Sequence, residues 1–168
     1  GWALTEGDGS GNGRCAIVRD GAAVWDVFVL DSGMTWAEST GVDWMGAAIG
    51  RLAAARGRIC PAAVFFHIPL GVYERARLTG AYQGVALEEA LCWGDEDDRL
   101  ADTIADMGAV RAGYCGHSHR NDFVCSRRGV RFAYGRVGGY GGYGELARGA
   151  KVVTLRDDGA VSDETVLF

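Results

Sequence analysis

Only three histidines occur in these 168 residues, and each stands just past an apolar run. His67 ends Ala62-Ala63-Val64-Phe65-Phe66 and leads into Ile68-Pro69-Leu70. His117 and His119 follow Gly108 to Tyr114, in Tyr114-Cys115-Gly116-His117-Ser118-His119-Arg120-Asn121-Asp122-Phe123. Neutral imidazole is the commonest side-chain ligand for zinc, iron and similar ions, so imidazoles aimed from strand ends at one point are the chemistry of a metal site. Adjacent loop side chains turn in different directions, so His117 and His119 suit two ions better than one. Two metals about 3.5–4 Å apart are a standard device for phosphate-ester hydrolysis, because they stabilise both the attacking and the leaving oxygen. A lone histidine is ordinarily a hydrogen-bonded core or surface residue, and it is the three strand-end placements together that favour ligation.

The elements that must position them alternate. Cys15 to Val18 and Val24 to Leu30 read as a hairpin across Asp20-Gly21, which supplies the positive φ of a tight turn. The second arm ends at Asp31-Ser32-Gly33, where the aspartate reads as a turn former, with metal ligation as the alternative. Thr40-Gly41-Val42-Asp43 has capping-box spacing, and Val42, Met45, Ile49 and Leu52 follow at helical spacing. Ile59 to Phe66 is a short continuous apolar strand. Residues 71 to 97 read as irregular. Asp95-Glu96-Asp97-Asp98 lacks the glycine and alternating oxygens of a calcium loop, and reads as the acidic start of a helix to Met107 with Leu100, Ile104 and Met107 as its buried stripe. Val110 to Tyr114 is the next strand.

This order implies an α/β fold with a parallel βαβαβ unit, whose ligands gather beyond the carboxyl ends of its strands. Phe123 to Ser126, Val130 to Tyr134, Lys151 to Leu155 and Val161 to Phe168 then continue the sheet as antiparallel strands.

Two glycine-rich stretches carry no nucleotide chemistry. Thr5 to Gly13 lacks the Gly-Lys-Ser/Thr ending of a phosphate loop and reads as a flexible loop. Gly139-Tyr140-Gly141-Gly142-Tyr143-Gly144 matches G-x-G-x-x-G only formally, since it leads to another strand, and reads as a loop whose backbone passes close to a site.

A formal charge of -5 and no basic run argue against a nucleic-acid or anionic-membrane surface. No uninterrupted apolar span of membrane length occurs. Cys15, Cys60, Cys92, Cys115 and Cys125 form no C-x-x-C pair and read as reduced, buried residues, a usage that leans toward an intracellular compartment.

Phe66-His67-Ile68-Pro69-Leu70, Gly116-His117-Ser118-His119-Arg120-Asn121-Asp122-Phe123, Tyr134-Gly135-Arg136, the Gly-Tyr loop and Arg148-Gly149-Ala150-Lys151-Val152 together resemble the C-terminal half of a calcineurin-like metallophosphoesterase of the purple-acid-phosphatase-like branch. Asn12-Gly13 and Leu30-Asp31-Ser32-Gly33 also fall where that branch has such motifs. The resemblance runs from about Gly11 to Leu155. It implies a single domain over residues 1–168 that is the C-terminal part of a catalytic domain, about half of a four-layer α/β/β/α sandwich. It also implies a metal-dependent phosphoesterase acting on phosphomonoesters, with His67 and His117 on one ion, His119 on the other, and ions drawn from iron, zinc and manganese. Arg120 is a candidate contact for substrate phosphate.

The sequence departs from that pattern in three places. Ser118 stands where the branch usually has Asp, Gly71-Val72 where it has Pro-Glu, and Arg120 where it has an apolar residue. The family's Asp-x-His, Gly-Asp-x-x-Asp and Gly-Asn-His motifs are absent, and with them the bridging aspartate and the histidine that assists the leaving group. The chain also starts at glycine. The expectation is therefore a piece of a longer enzyme, inactive alone, whose partners are a phosphate ester and its own N-terminal half. The alternatives are a non-catalytic module of the same family, or a mononuclear zinc hydrolase using Asp31, His67 and His117.

Overall fold

The computed structural model describes residues 2–36, 39–87 and 98–168. β1 (Trp2–Gly7), β2 (Gly13–Arg19) and β3 (Ala22–Val29) form an antiparallel meander. Asp20 and Gly21 make its second turn with φ of 50° and 79°, the positive values a tight hairpin turn needs. From β3 the chain runs through α1 (Gly41–Arg56), β4 (Ala62–Phe65), α2 (Gly71–Thr79), β5 (Gln83–Ala86), α3 (Arg99–Asp106) and β6 (Val110–Cys115). It continues through β7 (Asn121–Arg127), β8 (Val130–Tyr134), β9 (Gly149–Leu155) and β10 (Val161–Leu167).

Eight strands form one sheet in the order β1-β2-β3-β4-β6-β8-β7-β5. β3, β4, β6 and β8 run parallel at its centre, while β7 is antiparallel to both β8 and β5. The parallel unit is the one read from the sequence, but Val130–Tyr134, expected to run antiparallel, pairs parallel with β6, and of the later strands only β7 extends the large sheet in antiparallel fashion.

Strand alternation divides the core into two faces. Phe28, Val64, Phe66, Phe132 and Tyr134 belong to the large cluster with Met45 and Ile49 of α1, Tyr73 of α2 and Ile104 of α3. Ala112, Tyr114 and Ala133 form the other cluster, against which Phe65, Val153 and Val161 pack. Val153 and Val161 come from β9 and β10, which pair only with each other. That hairpin therefore covers part of the second face as its own small sheet and does not extend the large one. The result is a helix layer, a sheet and the start of a second sheet, consistent with half of the sandwich.

Tyr73 carries α2 into this core. Its fully buried ring lies against those of Phe123, Phe132 and Tyr134, with centroids 6.1, 5.9 and 5.0 Å away. Burying a side chain of that size is worth about 1.5–3 kcal/mol, to which the buried Val72 and Ala76 of this nine-residue helix add. The helix was not apparent from sequence, because three of its residues, Glu74, Arg75 and Arg77, interrupt its apolar stripe. β5 was missed too, being a four-residue edge strand with a glycine.

Two further expectations are corrected. Thr5, Glu6 and Gly7 belong to β1, since pairing with β2 overrides their loop-like composition. The turn that follows is also held firmly: Asp8 accepts from Ser10 N at 2.8 Å and Asn12 Nδ2 at 2.6 Å. The Thr40 side chain makes no cap bond to α1, and Ser39 Oγ instead accepts from Gly41 N at 3.2 Å. Cys92 and Asp95 to Asp97 lie outside the described residues.

Cys15, Cys60, Cys115 and Cys125 are free thiols, and burial pushes the Cys125 thiol up to about 12. No described helix is long and apolar enough to cross a membrane.

Candidate metal centre

β4 and β6 are parallel neighbours, so the residues after them emerge at the same end of the sheet. The strand ladder continues into the loops: Phe66 N donates to Tyr114 O at 3.0 Å, and Gly116 N donates to His67 O at 3.1 Å. The segment after His67 is clamped from below. Ile68 N donates to the buried Ser32 Oγ at 3.1 Å, and Ile68 O accepts from Trp36 Nε1 at 2.9 Å. Ser32 is thus a positioning residue, while Asp31 is turned to its own backbone and accepts from Gly33 N at 2.8 Å. This is the turn-forming role expected of it.

The histidine loop makes a sharp reversal. Ser118 N donates to Gly116 O at 3.0 Å across His117, whose φ is 75°. That combination is a γ-turn of the rare, strained hand. The reversal sends the His117 ring onto His67, with centroids 5.2 Å apart at 88° and His117 Nδ1 3.3 Å from His67 Nε2. Gly116 packs directly under this pair, where even a Cβ would make only an ordinary contact with His67 Nδ1, at 3.4 Å.

Backbone strain at His117 gives a stability test that involves no metal. Left-handed backbone costs a residue with a Cβ about 1–2 kcal/mol, a penalty glycine escapes. His117→Gly is expected to unfold at higher urea than His117→Ala by about that difference. Equal midpoints would mean that the turn is unstrained.

His119 points elsewhere. Its ring stacks on Tyr143, 4.3 Å between centroids and 18° from parallel, and its backbone N–H donates to the Tyr143 hydroxyl at 3.3 Å. The Arg120 guanidinium forks onto Glu145 at 2.8 and 3.1 Å, which holds the Glu145 carboxyl below its ordinary range. Arg120 thus reaches the Gly-Tyr loop, and its charge is already engaged there.

Two openings meet at this end of the sheet. A hollow of about 320 Å³ is lined by the backbone and side chains of 116–119 and by Gly135, Arg136, Gly138 and Gly142. Beside it a cleft of about 730 Å³ runs along the partly covered sheet face past His67, Phe65, Tyr114 and Lys151. The glycine wall is the feature that sequence reasoning caught only in outline, as backbone passing near a site.

The His67–His117 pair fits an ion on geometric grounds. Two nitrogens on one tetrahedral zinc, each about 2.0–2.1 Å from it, stand roughly 3.3–3.4 Å apart. The observed 3.3 Å matches that spacing, and neutral imidazoles can equally hold it by a shared hydrogen bond. Among the described residues no three His, Cys, Asp or Glu side chains gather as a metal-holding group. Among those residues the donor set at this point is a pair.

No family model matches the chain. Three curated proteins of Arabidopsis thaliana are similar to it. The one named probable inactive purple acid phosphatase 28 is 29% identical over 157 residues, covering 82% of this chain and 38% of that protein. Probable inactive purple acid phosphatase 14 is 27% identical over 128 residues, covering 75% of this chain and 31% of that protein. Probable inactive purple acid phosphatase 29 is 31% identical over 99 residues, covering 58% and 25%. The chain thus spans about a third of the length of these relatives. Motifs and overall similarity point the same way, and the chain is purple-acid-phosphatase-like in sequence.

Proposed function

We propose that this chain forms the histidine-bearing side of a dinuclear metal centre in a phosphoesterase acting on phosphomonoesters. The observation that carries the reading is the 3.3 Å approach of His67 Nε2 to His117 Nδ1 from two parallel strand ends. These two nitrogens would hold one ion, and His119 would serve a second, with iron, zinc or manganese as the occupants. Such ions supply Lewis acidity for phosphate-ester hydrolysis. The chain's own residues set ligand direction: the His117 turn aims one ring, and the Ser32 and Trp36 clamp on Ile68 fixes the other. The glycine-walled hollow leaves space for a phosphate, and Arg120, now on Glu145, would be a candidate phosphate contact. The remaining carboxylate donors and a histidine to protonate the leaving group would come from sequence outside these 168 residues.

A non-catalytic module of the same family is the second reading. The three relatives' printed names call them inactive, and the described residues hold no group of three ligands. Para-nitrophenyl phosphate hydrolysis by the full-length protein separates the two. The phosphoesterase reading expects turnover that a chelator removes, added metal restores and His117→Ala lacks. Metal-loaded protein with no turnover would leave the module reading standing.

A further inference from the structure

We infer that the Gly-Tyr loop, residues 139–145, is a strap that locks the His119 ring and selects its coordinating nitrogen, with Tyr143 as the positioning residue. The inference rests on the reading above in one respect, that His119 serves the second ion.

A metal-binding histidine ordinarily donates its other ring N–H to a carboxylate, a carbonyl or water, which fixes the ring. His119 Nδ1 has no such partner and is buried. What lies against it is Gly142: a Cβ there would stand 2.8 Å from Nδ1 and 3.0 Å from Cε1. The strap therefore shuts Nδ1 away, and Nε2 is left for coordination. Ring direction comes from the Tyr143 stack, at 4.3 Å and 18°.

The strap is in turn tied down along its second half. Arg148 donates to the carbonyls of Gly142 at 2.5 Å, Leu146 at 3.4 Å and Tyr143 at 3.5 Å. Glu145 takes the Arg120 fork, and Gly144, at φ 89°, lets the backbone pass where a Cβ would meet Arg120 Cγ at 2.9 Å. Glycine at 142 and an aromatic ring at 143 are thus required by contact with one imidazole.

With three histidines in the chain, the test is proton NMR of their ring signals in metal-free protein, assigned with His119→Ala, followed by zinc titration. In Tyr143→Ala the His119 signals are expected to lose the upfield shift of the stacked ring while those of His67 and His117 stay in place. One zinc equivalent should weaken by about 10- to 100-fold, the usual loss when a supporting residue is removed, and the other should be unchanged. Tyr143→Phe, which keeps the ring and drops the hydroxyl, should restore both signatures, and Gly142→Ala should move the His119 signals by direct contact. The inference is overturned if neither Tyr143→Ala nor Gly142→Ala moves the His119 signals, if both zinc equivalents weaken alike, or if Tyr143→Phe is as weak as Tyr143→Ala. Should no zinc bind to any form, the metal reading fails and the His119 signals alone decide the lock.

Discussion

Replacing Asp122 with alanine is expected to lower the unfolding free energy by about 3–5 kcal/mol, the cost of stripping one partner from a buried ion pair. Asp122 is the second residue of β7, and its side chain is nearly enclosed. Arg136 donates to it at 3.0 Å, Lys151 at 2.7 Å and the Thr165 hydroxyl at 3.0 Å. The side chains of Arg136 and Lys151 are each only 9% exposed, so without Asp122 their charges have little recourse to water. Thr165 and Lys151 belong to the β9–β10 hairpin, so this carboxylate fastens the second layer to the large sheet beside the histidine loop.

The hairpin's other anchor is Asp163. Burial pushes its carboxyl up, but the Arg131 fork and Lys151 outweigh that and hold it below the ordinary range. A lowered folded value means that its contribution is full above the unfolded carboxylate range, near about pH 4, and is lost as pH falls through the lowered value. The Asp122 comparison therefore belongs at neutral pH. Asp122→Asn, which keeps an acceptor oxygen but not the charge, should lose less than Asp122→Ala in urea unfolding. An alanine variant with the wild-type midpoint would show that the cluster is solvated and that the hairpin is held by Asp163 and its apolar contacts.

The parts of the fold that could be read from sequence are those in which local pattern and burial agree. β4 and β6 lie between neighbours at the centre of the sheet, which is why Ala62 to Phe66 reads as an unbroken apolar run and Val110 to Tyr114 as one interrupted only by the exposed Arg111. The Asp20-Gly21 turn was legible because its backbone demands positive φ. α2 was not, because its largest core contact, Tyr73, meets Phe123, Phe132 and Tyr134, which lie about 50 to 60 positions away. The fate of β9–β10 was likewise a tertiary matter, since hairpin signals say that two strands pair but not which sheet they join.

At the site, the strand-end rule brings His67 and His117 to one end of the sheet, where their ring nitrogens stand 3.3 Å apart. The same rule gave no warning that Tyr143 and Gly142 would claim the His119 ring, or that Glu145 would take Arg120. Those are loop-to-loop contacts with no periodicity to announce them.

The second large effect concerns metal affinity. His67 and His117 supply the two nitrogens whose spacing suits a shared ion, so losing either should cost more than the roughly 10- to 100-fold that follows loss of an outer supporting residue. The two losses should also be strongly non-additive, because one nitrogen alone no longer defines the site and neighbouring groups on one ion couple. His119→Ala should leave this equivalent nearly untouched, since its ring is directed to Tyr143.

Zinc titration calorimetry on the wild-type protein and on His67→Ala, His117→Ala and the double variant tests the central claim most directly. The expected result is one zinc equivalent that disappears in each single variant, with nothing further lost in the double. A zinc isotherm in which that equivalent survives either single substitution would contradict the claim that these two imidazoles form one metal-binding pair.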